Sequence, residues 1–426
     1  MRILIAGAYG FIGAHIAARL ESDGHAVRAA GRDIAWARKR FPRWDWVFAD
    51  FSKAVDWAAH LQGVDAVVNC VGVLQDGGRD SSAAAHAAGA AALFAACERA
   101  GVRRIVHLSA IGIDADTPYA RTKREGEAAL MRRDLDWSIL RPSLVIARGA
   151  YGGTALVRGI AGVPFLTLLT PSRACFRPIP MADLCEAAAR LLKPDAPTRM
   201  IIDAAGPQEA TLRELVAAHR QWLGFGPARV WTAPEALARA AFAIGDALGA
   251  LGIRSALRST ARAQMEHNVG GDPEHLPRRL GFAAQPYEKA LFAEPASVQD
   301  RWGARLYFVR PLAIAALAAF WIGTGIVCLT TGRAEAIALA QAAGLGDLSA
   351  PAADWGGAFD VAIGLALLLS RRTKLVLAAM AGVTIGYLAA LSFLLPWLWA
   401  DPLGRLMKLI PFFSLLALLA ATADER

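Results

Sequence analysis

Two stretches near the C-terminus constrain this chain more than anything else in it. Pro311–Gly332 runs 22 residues, and Leu375–Ala400 runs 26, without one Asp, Glu, Lys, Arg or His. At about 1.5 Å of rise per residue, either run as a helix crosses a hydrocarbon core of roughly 30 Å. Trp355–Ser370 is nearly as apolar, with one charge, Asp360, and Leu403–Ala423 carries Arg405 and Lys408 near its start. The expectation is four transmembrane helices within residues 301–426. Asp360 and Lys408 fall at similar depths near one side. A charge in a bilayer is costly unless paired, so an Asp360–Lys408 pair is expected. Trp397 and Trp399, closing the third span, read as interfacial anchors.

Orientation follows from the basic residues of the short loops. Arg301, Arg305, Arg310, Arg371, Arg372, Lys374 and Arg426 fall on one side, and Arg333, Arg405 and Lys408 on the other. By the positive-inside rule, the large N-terminal region and the C-terminus are expected in the cytoplasm, on an inner (cytoplasmic) membrane. The 55% hydrophobic and 19% charged composition agrees with a chain that is not purely soluble. Its net charge of +9 suits an anionic lipid surface or a phosphorylated ligand. Five cysteines form no CxxC pair, which argues for a reducing compartment and against a zinc ribbon. No HExxH, Walker-type or GxSxG motif occurs, and no metal or nucleic acid is expected.

Residues 1–300 have a different grammar. The apolar run Arg2–Ala6 precedes Gly7-Ala8-Tyr9-Gly10-Phe11-Ile12-Gly13 and then a helical stretch, Ala14–Leu20. A glycine-rich turn between strand and helix offers backbone N–H groups and a helix N-terminus to a pyrophosphate. Further strands are read at His25–Ala30, Trp46–Ala49, Asp65–Cys70 and Arg104–Leu108, alternating with Ala-rich helices. That pattern predicts an α/β, doubly wound parallel sheet of Rossmann type, with ligands at the strands' carboxyl ends. The second strand ends in Gly31-Arg32, where NAD-selective sites carry an acid. Arg32 suits a 2′-phosphate, so NADP(H) is preferred and NAD(H) stays open, with Asp33 one place later. Asp50 is placed to meet the adenine amine. His107 reads as a satisfied core residue.

Tyr119 and Lys123 stand four apart and share a helical face after the fifth strand. A phenol with a pKa of about 10 is a poor catalyst at neutral pH, and a neighbouring ammonium would pull it down. The lysine can also hydrogen-bond the nicotinamide ribose. Thr211 with Glu214 opens an amphipathic helix with a capping box. Residues 228–265 read as Ala/Leu/Arg-rich helices of a substrate lobe, whose apolar faces could also rest on a membrane.

Residues 1–300 resemble the short-chain dehydrogenase/reductase (SDR) superfamily, in its atypical or extended branch. They are similar to the group around the NAD(P)H-binding accessory subunit of respiratory complex I and to NmrA-like proteins. The matching pieces are GAYGFIG, VNCVG, VHLSAIG, YARTKREGE, LRPSLV, RPIPMADL and AAGPQEATLREL. The resemblance implies cofactor binding by Gly7, Tyr9, Gly10, Phe11, Ile12, Gly13, Arg32, Asp50, Asn69, Val71, Gly72, Lys123, Pro142 and Ser143, the last two beside the nicotinamide. It implies Tyr119 as proton donor, Lys123 as its partner and a serine beside the substrate carbonyl. The positions usual for that serine hold Ala110 and Ile111 here. Ser109 is the candidate, as catalytic serine or as the structural serine of its turn. Residues 301–426 resemble the DoxX-like four-helix membrane proteins, most specifically in DPLGRLMKLIPFFSLLALLAATADE.

The expected organisation is a Rossmann core over about 1–147, substrate-lobe contributions over about 148–300 and a membrane domain over 301–426. The expected function is a membrane-anchored NAD(P)(H)-binding oxidoreductase acting on an apolar carbonyl or a quinone, with the bilayer and membrane proteins as partners. A non-catalytic NADP(H)-binding accessory or assembly protein, and an epimerase or dehydratase, are the alternatives.

Overall fold

The computed structural model describes residues 1–73, 81–170, 174–250, 259, 270–370 and 372–423. The chain divides into two compact units, Met1–Ala304 and Arg305–Arg426.

In the first unit β1 (Arg2–Ala6), α1 (Phe11–Ser22), β2 (Ala26–Gly31), α2 (Ile34–Arg40), β3 (Asp45–Phe48), α3 (Trp57–His60) and β4 (Ala66–Asn69) follow in order. A π-helix, Ala83–Ala88, then leads into α4 (Gly89–Ala100), β5 (Arg104–Leu108), α5 (Pro118–Met131) and β6 (Asp136–Pro142). The strand Met200–Ala204 completes a seven-stranded sheet, in the order Met200–Ala204, β6, β5, β4, β1, β2, β3. Its pairings are parallel throughout. The chain order reverses between β1 and β4, the switch point at which open α/β sheets bind ligands.

β1 shows why the sheet is covered on both faces. Ile3 and Ile5 pack in one apolar cluster with Ile16 and Leu20 of α1. Leu4 and Ala6, pointing the other way, pack in a second cluster with Leu93 and Phe94 of α4. Alternate side chains of a strand lie on opposite faces, and a run of four buried residues needs helices on both. Register aligns Ala6 with Ala30 and Asn69, and Leu108 with Leu140, so the carboxyl ends form one rim.

Beyond β6 lie α6 (Gly153–Gly162), α7 (Met181–Leu191), α8 (Leu212–Trp222) and α9 (Glu235–Ala250). The capping box is present on α8: Glu214 N–H donates to Thr211 Oγ1 at 3.3 Å, and Thr211 N–H donates to Glu214 Oε2 at 2.7 Å. One expectation fails here. Arg229–Thr232 is a strand paired with Leu166–Leu169, not part of a helix. Val230, Trp231 and Thr232 favour extended backbone, and local preference prevails over the Ala-rich surroundings. Residues 251–258 and 260–265 of that expected helical stretch lie outside the described residues, as do Arg371 and Arg426.

The second unit holds the rest of the helix Val298–Leu329, then Arg333–Ala342, Ser349–Leu369, Thr373–Leu394 and Leu409–Ala421. Among the described residues, three helices are long and apolar enough to cross a membrane: Val298–Leu329, Gly346–Leu369 and Thr373–Leu394. The fourth expected span is only the 13-residue Leu409–Ala421, about 20 Å of rise. Pro402 and Gly404 break what precedes it; Gly404 takes φ +63°, and Asp401 is bound to Arg405 at 2.7 Å. The helices share a core of Leu317, Trp321, Ile363, Leu367, Met380 and Leu416. Val298–Leu329 and Ser349–Leu369 approach almost backbone to backbone. A Cβ on Gly325 would fall 2.5 Å from the Gly357 carbonyl oxygen, and one on Gly364 2.7 Å from Ile322 Cγ1. Small residues permit such close helix contacts in membranes. The expected Asp360–Lys408 pair is not formed. Asp360 Oδ1 is buried without a hydrogen-bond partner among the described residues.

Candidate active site

The glycine turn is built for close approach. Gly7 has φ +76°, a left-handed conformation that costs glycine nothing. Its N–H donates to Ala30 O at 3.0 Å and its carbonyl accepts from Gly10 N–H at 2.9 Å. A Cβ on Gly13 would lie 2.2 Å from Gly7 O, so only glycine lets α1 start this close to the turn. No side chain caps α1 at Gly10, which leaves its first N–H groups to a ligand.

Of the residues expected at the cofactor, Tyr9, Phe11 and Ile12 have packed side chains. The Tyr9 ring packs against Trp36 and Trp46 at 5.9 and 6.0 Å, and its hydroxyl accepts from Arg32 N–H at 3.3 Å. A Cβ on Gly31 would fall 2.3 Å from that ring. Phe11 stacks on Tyr151 at 6.2 Å, and Ile12 packs on the core. Asp33 is committed as the cap of α2, accepting from Trp36 N–H at 3.1 Å. Arg32 and Asp50 act on each other across the ends of β2 and β3. Burial alone would raise the Asp50 carboxyl, but hydrogen bonds from Ser52 and the charges of Arg32 and Lys53 hold it below its usual range.

The loop after β4 is bracketed from within. Asn69, 1% exposed, accepts from Val71 N–H at 3.1 Å through Oδ1. Its Nδ2 donates to His107 Nδ1 at 3.2 Å. That bond places the His107 proton on Nε2, which is buried without a partner among the described residues, so His107 is only half satisfied. Ser109 N–H donates to Leu140 O at 2.7 Å, while its buried Oγ has no partner among the described residues. Pro142 and Ser143 lie beside it: Ile111 N–H donates to Pro142 O at 3.1 Å, and Ser143 N–H to Ala204 O at 3.1 Å.

α5 presents Tyr119 and Lys123 at the same rim. Thr117 caps it, accepting from Ala120 N–H at 3.1 Å, and Pro118 begins it. Lys123, 3% exposed, donates from Nζ to Leu108 O at 3.0 Å, and a Cβ on Gly72 would lie 3.8 Å from Nζ. Burial lowers the ammonium's pKa to about 8, against the opposing pull of Glu127 and Cys70. The Tyr119 phenol is not pulled down as expected. Lys123 is drawn to the end of β5, and burial raises the phenol to about 12. In this form Tyr119 is a neutral hydroxyl, suited to donate a proton rather than accept one.

Sequence reasoning missed His86, which packs edge-on against Tyr119 with ring centroids 5.4 Å apart. It is the one imidazole in the alanine-rich run Ser-Ala-Ala-Ala-His-Ala-Ala-Gly, which carries no periodicity.

Residues 7–160 match the NAD(P)H-binding family, and residues 318–417 match the DoxX-like family. The chain has an NAD(P)H-binding, SDR-like domain at its N-terminus and a DoxX-like domain at its C-terminus. A curated relative, the epimerase family protein SDR39U1 homolog of Arabidopsis thaliana, is 36% identical over 73 residues. Those residues are 17% of this chain, which spans about a fifth (21%) of that relative's length. The fold recurs in Bordetella bronchiseptica WbmG in complex with NAD and UDP (TM-score 0.55, 17% identity, 72% of this chain and 97% of that one). It recurs in the UDP-N-acetylglucosamine 4-epimerase of Bacillus cereus (0.51, 15% identity, 69% and 94%). The dTDP-glucose 4,6-dehydratase of Bacillus anthracis in complex with NAD is a third (0.54, 14% identity, 73% and 99%). At these identities the likeness is one of fold. The SDR-like domain thus has its glycine turn, Ser109, Tyr119 and Lys123 at the carboxyl rim of one sheet.

Proposed function

We propose that the protein is a membrane-anchored, NADP(H)-preferring reductase of apolar carbonyls or quinones. The observation that carries this reading is the convergence at one rim of the glycine turn, the Ser109 Oγ, unpartnered among the described residues, and the Tyr119–Lys123 pair. A bound dihydronicotinamide would supply the hydride. Tyr119, neutral under the burial described above, would give its proton to the substrate oxygen, and Ser109 Oγ would hold that oxygen by a hydrogen bond. Lys123 would hold the ribose side of the cofactor with its ammonium. The apolar C-terminal helices support an apolar substrate, because such a molecule concentrates in a bilayer. Mass spectrometry of small molecules released from detergent-purified protein, followed by NADPH consumption against a panel of quinones and ketones, tests the reading. Recovery of NADPH and turnover with a panel member support it. Recovery of NAD with a nucleotide sugar favours a second reading, an epimerase or dehydratase, which the named relatives motivate. Bound NADPH that no panel member consumes favours an accessory protein, motivated by Ala110 and Ile111 where a catalytic serine is usual.

Arg32 gives the first prediction. NADPH binds more tightly than NADH, and Arg32→Asp reverses the order. Losing a charge-assisted phosphate contact costs about 1.5–3 kcal/mol. Titration of both cofactors by fluorescence checks this, and equal affinities in the unmodified protein would overturn it.

Topology gives the second. We place the N-terminal domain in the cytoplasm of an inner membrane. A cysteine at Ala343, which ends the helix Arg333–Ala342, reacts with an impermeant thiol reagent in whole cells, and one at Thr373 does not. The reverse labelling pattern would refute the orientation.

A further inference from the structure

The π-helix Ala83–Ala88 interrupts what would otherwise be a plain alanine-rich entry into α4, and such turns concentrate at functional places. Its one functional side chain, His86, is 1% exposed. Both ring nitrogens are occupied. Val73 N–H donates to Nε2 at 2.8 Å. A backbone amide can only donate, so Nε2 is the bare nitrogen and the proton sits on Nδ1. Nδ1–H donates to Thr122 Oγ1 at 3.0 Å, and the Thr122 hydroxyl donates in turn to the Tyr119 carbonyl at 3.0 Å. Every donor in this His86–Thr122 relay finds an acceptor, and only one tautomer satisfies it. Burial, reinforced by Lys123 and His107, drives the imidazole down to about 2, so the ring stays neutral. The backbone around it is equally fixed. A Cβ on Gly126 of α5 would fall 2.2 Å from the His86 carbonyl oxygen.

Residues 71–73, just after β4, are therefore held at two points. Asn69 Oδ1 takes Val71 N–H, and His86 Nε2 takes Val73 N–H. The second of these anchors is tied through Thr122 to the backbone of Tyr119. We infer that His86 is a positioning residue, locking residues 71–73, at the cofactor rim, in register with the helix that carries Tyr119 and Lys123. This rests on the cofactor reading of the loop given above. The link predicts that loop placement and Tyr119 placement are one variable.

Three single variants and one double variant of the full chain in detergent test it. His86→Ala removes the acceptor, whereas His86→Gln presents an amide oxygen near the place of Nε2. Thr122→Val cuts the link on the Tyr119 side alone. His86→Ala is expected to raise the NADPH dissociation constant about tenfold, the scale of one lost hydrogen bond with its partner left buried. It is also expected to speed hydrogen exchange in residues 71–73, and His86→Gln restores both. Thr122→Val weakens NADPH as well, and the double variant His86→Ala/Thr122→Val binds no more weakly than His86→Ala. Unchanged affinity in His86→Ala, unchanged affinity in Thr122→Val, or a His86→Gln as weak as His86→Ala with an equal fall in melting temperature would overturn the lock. If the unmodified protein binds no NADPH, the cofactor reading fails and the exchange measurement decides alone. Protection lost in His86→Ala and regained in His86→Gln then supports the lock, and unchanged protection refutes it.

Discussion

Tyr119→Phe is expected to lower turnover by roughly 10²–10⁴-fold while NADPH binding survives nearly unchanged, the usual scale for loss of a general acid. The substitution keeps the ring, and so keeps its edge contact with His86 at 5.4 Å. Only the proton is lost. The phenol stands near 12 in the structure, so at neutral pH it holds that proton, which favours reduction over oxidation. Lys123→Ala is expected to damage binding and turnover together, because its ammonium lies under Gly72 and on Leu108 O. Steady-state rates with a substrate found in the panel, alongside fluorescence titration of NADPH, separate the two outcomes. Intact turnover in Tyr119→Phe would show that the proton comes from elsewhere.

Acid is expected to unfold the first unit through its buried imidazoles. Burial holds His86 near 2, His107 near 3 and His219 near 4, all below the ordinary 6.5. The unfolded chain therefore binds protons that the folded chain refuses. Stability is complete above pH 6.5 and falls as the pH drops through the window from 6.5 toward 4. Linkage sets the size at about 2 kcal/mol per histidine by pH 5, a large share of the stability of any domain. Melting followed by tryptophan fluorescence across pH 5–8 checks the slope. His86→Gln removes one proton from it, and an identical slope in that variant would contradict the assignment.

What the sequence revealed, and what it hid, divides along physical lines. The glycine turn was legible because a turn, a close approach and a helix contact each demand glycine at its own spacing. The parallel sheet was legible because strands buried on both faces are apolar without alternation. His86 was not, because an alanine run has no periodicity from which a buried imidazole could stand out. The strand Arg229–Thr232 was hidden by its length: four residues cannot outweigh an Ala-rich neighbourhood in any window reading. The fourth apolar segment was overread, since hydropathy is blind to the left-handed turn at Gly404. Tyr119 and Lys123 were found by spacing, yet the destination of the ammonium depends on Leu108 O, which spacing does not encode.

The Tyr9 ring lies where any side chain at position 31 would go. While the Tyr9 ring keeps this place, position 31 has room for glycine alone. Anyone seeking to retune cofactor choice by placing an acid at position 31 must first shrink residue 9. That change would also release Arg32 N–H and unseat Trp36 and Trp46. Selectivity in this scaffold is therefore more readily edited from Arg32 outward than from the strand end, and relatives with a bulkier residue 31 should carry a smaller residue 9.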